Sequence, residues 1–109
     1  MIHYLNAGMA DSAEKRAQEA AAMDEFDAGF AARHKKAFAL IHEKFGLDYV
    51  GIDCGQTREG EFLVFEVDTS MVVHAMDPVE IYPYKQAAMQ KVFTAFRALL
   101  ARTAAQGNP

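Results

Sequence analysis

Three carboxylates stand inside what otherwise reads as a buried β-hairpin: Asp53, Glu66 and Asp68, within residues 50 to 74, VGIDCGQTREGEFLVFEVDTSMVVH. Threonine or valine would suit such strands better if folding were their whole task. Alternate residues of a strand share a face, so Phe62, Val64, Glu66 and Asp68 are expected on one side and Leu63, Phe65 and Val67 on the other. Pairing Gln56 with Glu61 across the turn puts Asp53 opposite Val64 and diagonal to Glu66, on that same face. A slip of one residue sends Asp53 to the opposite face. Carboxylates gathered this closely repel, and each is driven toward protonation unless a cation joins them. The hard oxygen set suits Mg²⁺, which takes one or two carboxylates together with phosphate oxygens of a substrate. Strand-end residues that reach solvent, or pair with Lys and Arg from elsewhere, fit the same spacing.

The elements that must hold these groups are legible around them. IHYLN, residues 2 to 6, reads as a short strand ended by Ala7 and Gly8. Asp11 or Ser12 can cap the helix that follows, and Asp11 with Glu14 has capping-box spacing. Its sequence, AEKRAQEAAAM, has high helix propensity and few large apolar groups, which predicts a mostly solvated helix. A second helix is expected from Asp27 to a stop at Gly46, with Phe30, His34, Ala37, Phe38, Ile41 and Phe45 as its apolar stripe. LDYVGID and EFLVFEVD then read as strands joined by GQTREG. After the irregular link AMDPVEIYP, Pro83 suits the first turn of a last helix. That helix carries Met89, Val92, Phe93, Phe96, Leu99 and Leu100 on one face. The predicted order is β-α-α-β-β-α, an α+β fold with helices on one side of a small antiparallel sheet. Residues 1–105 form one domain in this scheme, and 106–109 a frayed tail.

Composition narrows the function classes. The 109 residues include eight Phe, four Tyr and six Met, which excludes a disordered polypeptide. A formal charge of −4 makes no electrostatic case for nucleic acid or an anionic membrane as partner. No apolar run approaches the roughly 20 residues that cross a bilayer. The first residues, MIHYLNAGMAD, lack the basic start and apolar stretch of a secretory signal. The single cysteine, Cys54, forms no internal disulfide and fits a reducing cytoplasm.

Asp53, then twelve residues, then Glu66-Val67-Asp68 on hydrophobic hairpin strands resembles the C-terminal part of the ATP-grasp fold. The stretch GLDYVGIDCG…EFLVFEVDTSMVVH looks most like the ATP-grasp domains of bacterial proteins that often also carry tetratricopeptide repeats. The likeness covers nearly the whole chain, with residues 46 to 74 its specific part. In that family an acidic residue on one strand and Glu-x-Asn on the next hold the magnesium ions that bridge the ATP phosphates. The resemblance thus implies Asp53, Glu66 and Asp68 as metal ligands, with Asp68 where Asn is usual, an exchange that adds negative charge. It implies Phe65 beside the adenine, and Thr69, Ser70 and His74 in the loop facing an acceptor substrate. It makes IHYLNAGM an earlier strand and residues 80 to 103 the closing helix. The family's phosphate-binding lysines, glycine-rich loop and adenine-binding strand have no counterpart here. There is no GxxxxGKS or GxxxxGKT loop, and Gly8, Gly29 and Gly107 are isolated. The implied protein is therefore an incomplete enzyme: a fragment of a longer chain, or a stand-alone descendant of half a site. With its other half it would use Mg²⁺ and ATP to activate a carboxylate substrate for ligation.

Other residues point to weaker chemistry. His34 and His42 lie eight apart on one helix, too far for joint chelation without further ligands. His74 follows the acidic hairpin and could serve as a general acid or substrate contact, or simply hold a local hydrogen bond. Cys54 is expected to point into the helix layer as an inert thiol. Thr69 and Ser70 have no supporting Ser-His-Asp arrangement. Against the ligase-like expectation stands a non-catalytic α+β module that keeps only the fold and works by binding or assembly, as a homodimer that covers exposed apolar surface.

Overall fold

The computed structural model describes residues 7–107. Its elements are α1 (Ala13–Glu25), a π-helical turn (Asp27–Ala31), α2 (Lys35–Phe45), β1 (Gly51–Gln56), β2 (Phe62–Asp68) and α3 (Lys85–Gln106). Helices and a two-stranded antiparallel sheet make the fold α+β. The strand expected at residues 2 to 6 lies outside the described residues. Two compact units arise: one comprises residues through Phe26 together with those from Val73 onward, the other residues 27–72.

In the first unit, Ser12 is the residue that caps α1. Its hydroxyl accepts from the Lys15 backbone N–H at 3.3 Å, satisfying one of the helix's orphan donors. Lys15 and Arg16 donate back to the carbonyls of Ala7, Met9 and Ala10, folding the entry segment over the first turn and burying Met9 to 6% exposure. Glu19 is buried too, at 4%. It accepts from the Tyr84 hydroxyl at 3.4 Å and pairs with Lys85 at 3.4 Å, so α1 meets α3 at the latter's first turn. Lys85 also pairs with Asp77 at 3.0 Å and lies 4.3 Å from the centre of the Tyr82 ring. The link before α3 is thereby tied to both helices. Pro83 precedes the cap residue Tyr84 instead of standing in the first turn. α3 runs through Gln106, the first residue of the expected tail, and closes with the Gly107 N–H on the Thr103 carbonyl.

In the second unit, the single helix expected from Asp27 to Gly46 is broken. A π-turn spans Asp27–Ala31, and α2 begins only after His34. Gly29, costing about 1 kcal/mol against alanine in a helix, sits inside the wide turn. α2 ends as expected at Gly46, whose N–H bonds the His42 carbonyl. Phe30 and Phe38 bring their rings within 6.1 and 5.2 Å of Phe62 on β2, so the helical segments cover one face of the hairpin. The hairpin turn is closed by Thr57 N–H to Glu61 O at 2.9 Å, Gly60 N–H to Thr57 O at 3.1 Å, and Glu61 N–H to Thr57 Oγ1 at 3.1 Å. Gly60, at φ 91°, supplies the left-handed residue that a three-residue loop requires.

Candidate functional site

The turn determines where the carboxylates stand. Because Arg58, Glu59 and Gly60 form the loop, Gln56 pairs with Phe62 and not with Glu61, a correction of one residue to the expected register. Gly55 pairs with Leu63 and Cys54 with Val64. The next pair is Asp53 with Glu66, which leaves Phe65 as the extra residue of a β-bulge. Ile52 then pairs with Val67, and Gly51 with Asp68.

Two corrections follow for the faces. Phe62 and Val64, expected beside the acids, share the inner face with Gln56 and Cys54, with Phe62 against the helical segments and Val64 exposed. Glu66 and Asp68, opposite Asp53 and Gly51, share the outer face with Leu63. Phe65 is on that face too: a Cβ built on Gly55 would lie 3.2 Å from its ring. Without the bulge, Glu66 would have faced Ile52 and the aromatic cluster. The bulge thus spares the protein a buried carboxylate.

Asp53 and Glu66 are exposed and directly opposed, a position where β-carbons lie about 5 Å apart and like charges repel. Asp68 is half-buried, and one of its oxygens is engaged: Oδ1 accepts from the Ser70 N–H at 2.8 Å and the Ser70 hydroxyl at 3.3 Å, a local turn that ends β2. Among the described residues, no three His, Cys, Asp or Glu form a group that could hold a metal ion. Phe65 is 71% exposed. Thr69 and Ser70 are exposed in the loop after β2. His74 belongs to the other unit, where with Asp77, Lys85 and Phe93 it lines a recess of about 20 Å³, room for little more than a water. A larger cleft of about 300 Å³ in that unit lies among Ala20, Met23, Asp24, Tyr84, Ala88 and Lys91, none of them an expected site residue.

Behind the outer face, the chemistry is structural. Cys54 is half-buried on the inner face, and burial, with the neighbouring Asp53 charge adding to it, pushes its thiol up from the ordinary value. The thiolate is therefore disfavoured, in line with an inert cysteine. His34 is 7% exposed, its ring 4.8 Å from Phe30 and 5.0 Å from Phe62. Its Nε2 is 2.7 Å from Gln56 Oε1, which also accepts from Arg33 Nη1 at 2.9 Å. His42, by contrast, is exposed. The apolar stripe that included His34 was the available signal for its burial; its partner Gln56 carried none.

On the outer side, Met71 folds back over β1. The Tyr49 hydroxyl donates to the Met71 carbonyl at 2.6 Å, and a Cβ on Gly51 would collide with the Met71 Cβ. Sequence reasoning missed this clip, since only the fold brings residues 20 apart together. It also missed the Glu19, Asp77 and Lys85 charge cluster. Among the described residues no helix is long and apolar enough to cross a membrane. Compared with known proteins, the chain matches no family model, no curated protein and no solved structure.

Proposed function

We propose that the chain is a non-catalytic α+β binding and assembly module that works as a homodimer in the cytoplasm. The observation that carries this is the distribution of apolar side chains. Among the described residues Met9 is the buried hydrophobic residue, while Phe65, Val72, Phe96 and Leu100 are more than half exposed. Large apolar side chains left in water in this number mark a surface that another protein covers. A second copy is the partner always present at matching concentration, and two-fold pairing is the commonest way to close such surfaces. The cytoplasmic location rests on the single free thiol of Cys54. Sedimentation equilibrium tests the assembly: the expected species has twice the 12.1 kDa chain mass, and a monomer at every concentration overturns it.

A second reading is favoured by the bulge at Phe65, which sets Asp53 opposite Glu66 with Asp68 on the same face beside an exposed aromatic ring. In it the hairpin is the magnesium–ATP portion of an ATP-grasp carboxylate–amine ligase-like protein. Asp53 and Glu66 would hold Mg²⁺, which commonly takes one or two carboxylates and offsets phosphate charge during transfer to a carboxylate substrate. Phe65 would lie against the adenine, and Thr69 and Ser70 would face the acceptor. The lysines that grip the phosphates would come from a missing half. Calorimetric titration of Mg²⁺ and a non-hydrolysable ATP analogue is the test. Metal-dependent nucleotide binding that disappears in Asp53→Asn/Glu66→Gln supports it, and the absence of heat with the unaltered chain sinks nucleotide binding by this half alone.

A further inference from the structure

Resting on the assembly reading, we infer that two copies engage through unlike faces: the side of α3 bearing Phe96 and Leu100 in one copy seats on the outer hairpin face of the other. Charge decides the pairing. The outer hairpin face carries Asp53, Glu66 and Asp68 around the apolar Leu63 and Phe65. α3 carries Lys85, Lys91, Arg97 and Arg102 and no Asp or Glu. Hairpin on hairpin would set Asp53 and Glu66 against their own copies, and α3 on α3 would do the same with Arg97 and Arg102, the cations nearest Phe96 and Leu100, since Lys85 is already paired with Glu19 and Asp77. Like charges juxtaposed across an interface are strongly unfavourable, so only the crossed arrangement is complementary.

The apolar groups agree with this. Phe96 is 57% and Leu100 53% exposed, and at four residues apart they share one side of the helix. Arg97 flanks that side, within reach of Asp53 and Glu66 once the two rings Phe96 and Phe65 meet. The hydrogen bond and ion pair from α1 fall at the start of α3, at Tyr84 and Lys85, and the cleft between the two helices reaches Lys91, short of Phe96. α2 is the other cationic helix, but Glu43 stands among its lysines. Its exposed Leu40 and Phe45 are five residues apart and turn to different sides.

Charge exchange tests this. Arg97→Glu and Glu66→Arg each place like charges in every such contact between identical copies. Each alone is expected to self-associate at least about tenfold more weakly in sedimentation equilibrium. In an equimolar mixture of the two variants every contact again joins opposite charges, and association returns. Rescue on mixing also shows that both variants are folded. Association of the unaltered chain should weaken as salt rises. A dimer that neither substitution weakens, or variants that do not recover on mixing, overturns the crossed arrangement and leaves the assembly reading standing. A chain monomeric at every concentration overturns both.

Discussion

Phe65 does two things in β2. As the extra residue of the bulge it turns Glu66 away from the aromatic cluster, and as an exposed ring over Gly55 it gives the acidic face an apolar centre. Its type, a β-preferring aromatic, was plain in the sequence; that it is the one residue left unpaired was not, because alternation alone predicts no bulge. Gly51 is the converse case, a residue whose absent side chain matters. Met71 occupies the space a Cβ would need, so Gly51→Ala must displace backbone-anchored atoms and not a flexible chain end. The expected cost is about 1–3 kcal/mol, in the range of overpacking. Urea unfolding followed by circular dichroism measures it, and an unchanged midpoint would mean that Met71 does not lie over β1.

At the scale of elements, caps and turns follow the residues that make them. Ser12 starts α1, Gly46 ends α2 and Gly60 shapes the hairpin loop, all local effects within a few residues. What joins α1 to α3 is not local. Lys85 bridges Glu19 and Asp77, far apart in sequence, and removing it would strand a buried carboxylate. Lys85→Met is expected to cost about 3 kcal/mol, the low end for breaking a buried pair. Burial by itself would lower the Lys85 ammonium, but the hydrogen bond to Asp77 and the charges of Glu19 and Asp77 outweigh it and hold it above the ordinary 10.5. Burial, followed by the Glu19 charge, raises Tyr84 above 10.0. Groups raised on folding contribute stability that is complete below their unfolded values and is lost as pH climbs through the folded ones. The gap in melting temperature between the parent and Lys85→Met should therefore hold at neutral pH and close above about pH 10.5. A gap that persists there would mean Lys85 acts through packing alone.

For the molecule as a whole, stability and assembly should be one quantity. A homodimer draws part of its stability from association, so its melting temperature rises with protein concentration, whereas a self-sufficient monomer melts independently of it. Scanning calorimetry across a wide concentration range should show the rise, and a constant value would contradict a dimer. The exposure of Phe96 and Leu100 is what makes this expectation necessary. Their helical spacing had placed them on a face with Met89, Val92, Phe93 and Leu99, and the latter four are indeed half-covered. Periodicity identifies a face but says nothing of how far along it a neighbour reaches.

The sequence by itself determined the α+β class, the start of α1 near Ser12, the stop of α2 at Gly46, the hairpin and the side of α3 that is apolar. Each depends on backbone preference or on side-chain period within a few residues. Tertiary structure decided the break before His34, the hairpin register and its bulge, and therefore which face the three carboxylates share. Those outcomes depend on which rings meet Phe62 and on what Met71 covers. Such contacts couple residues twenty or more positions apart, and no local preference encodes them.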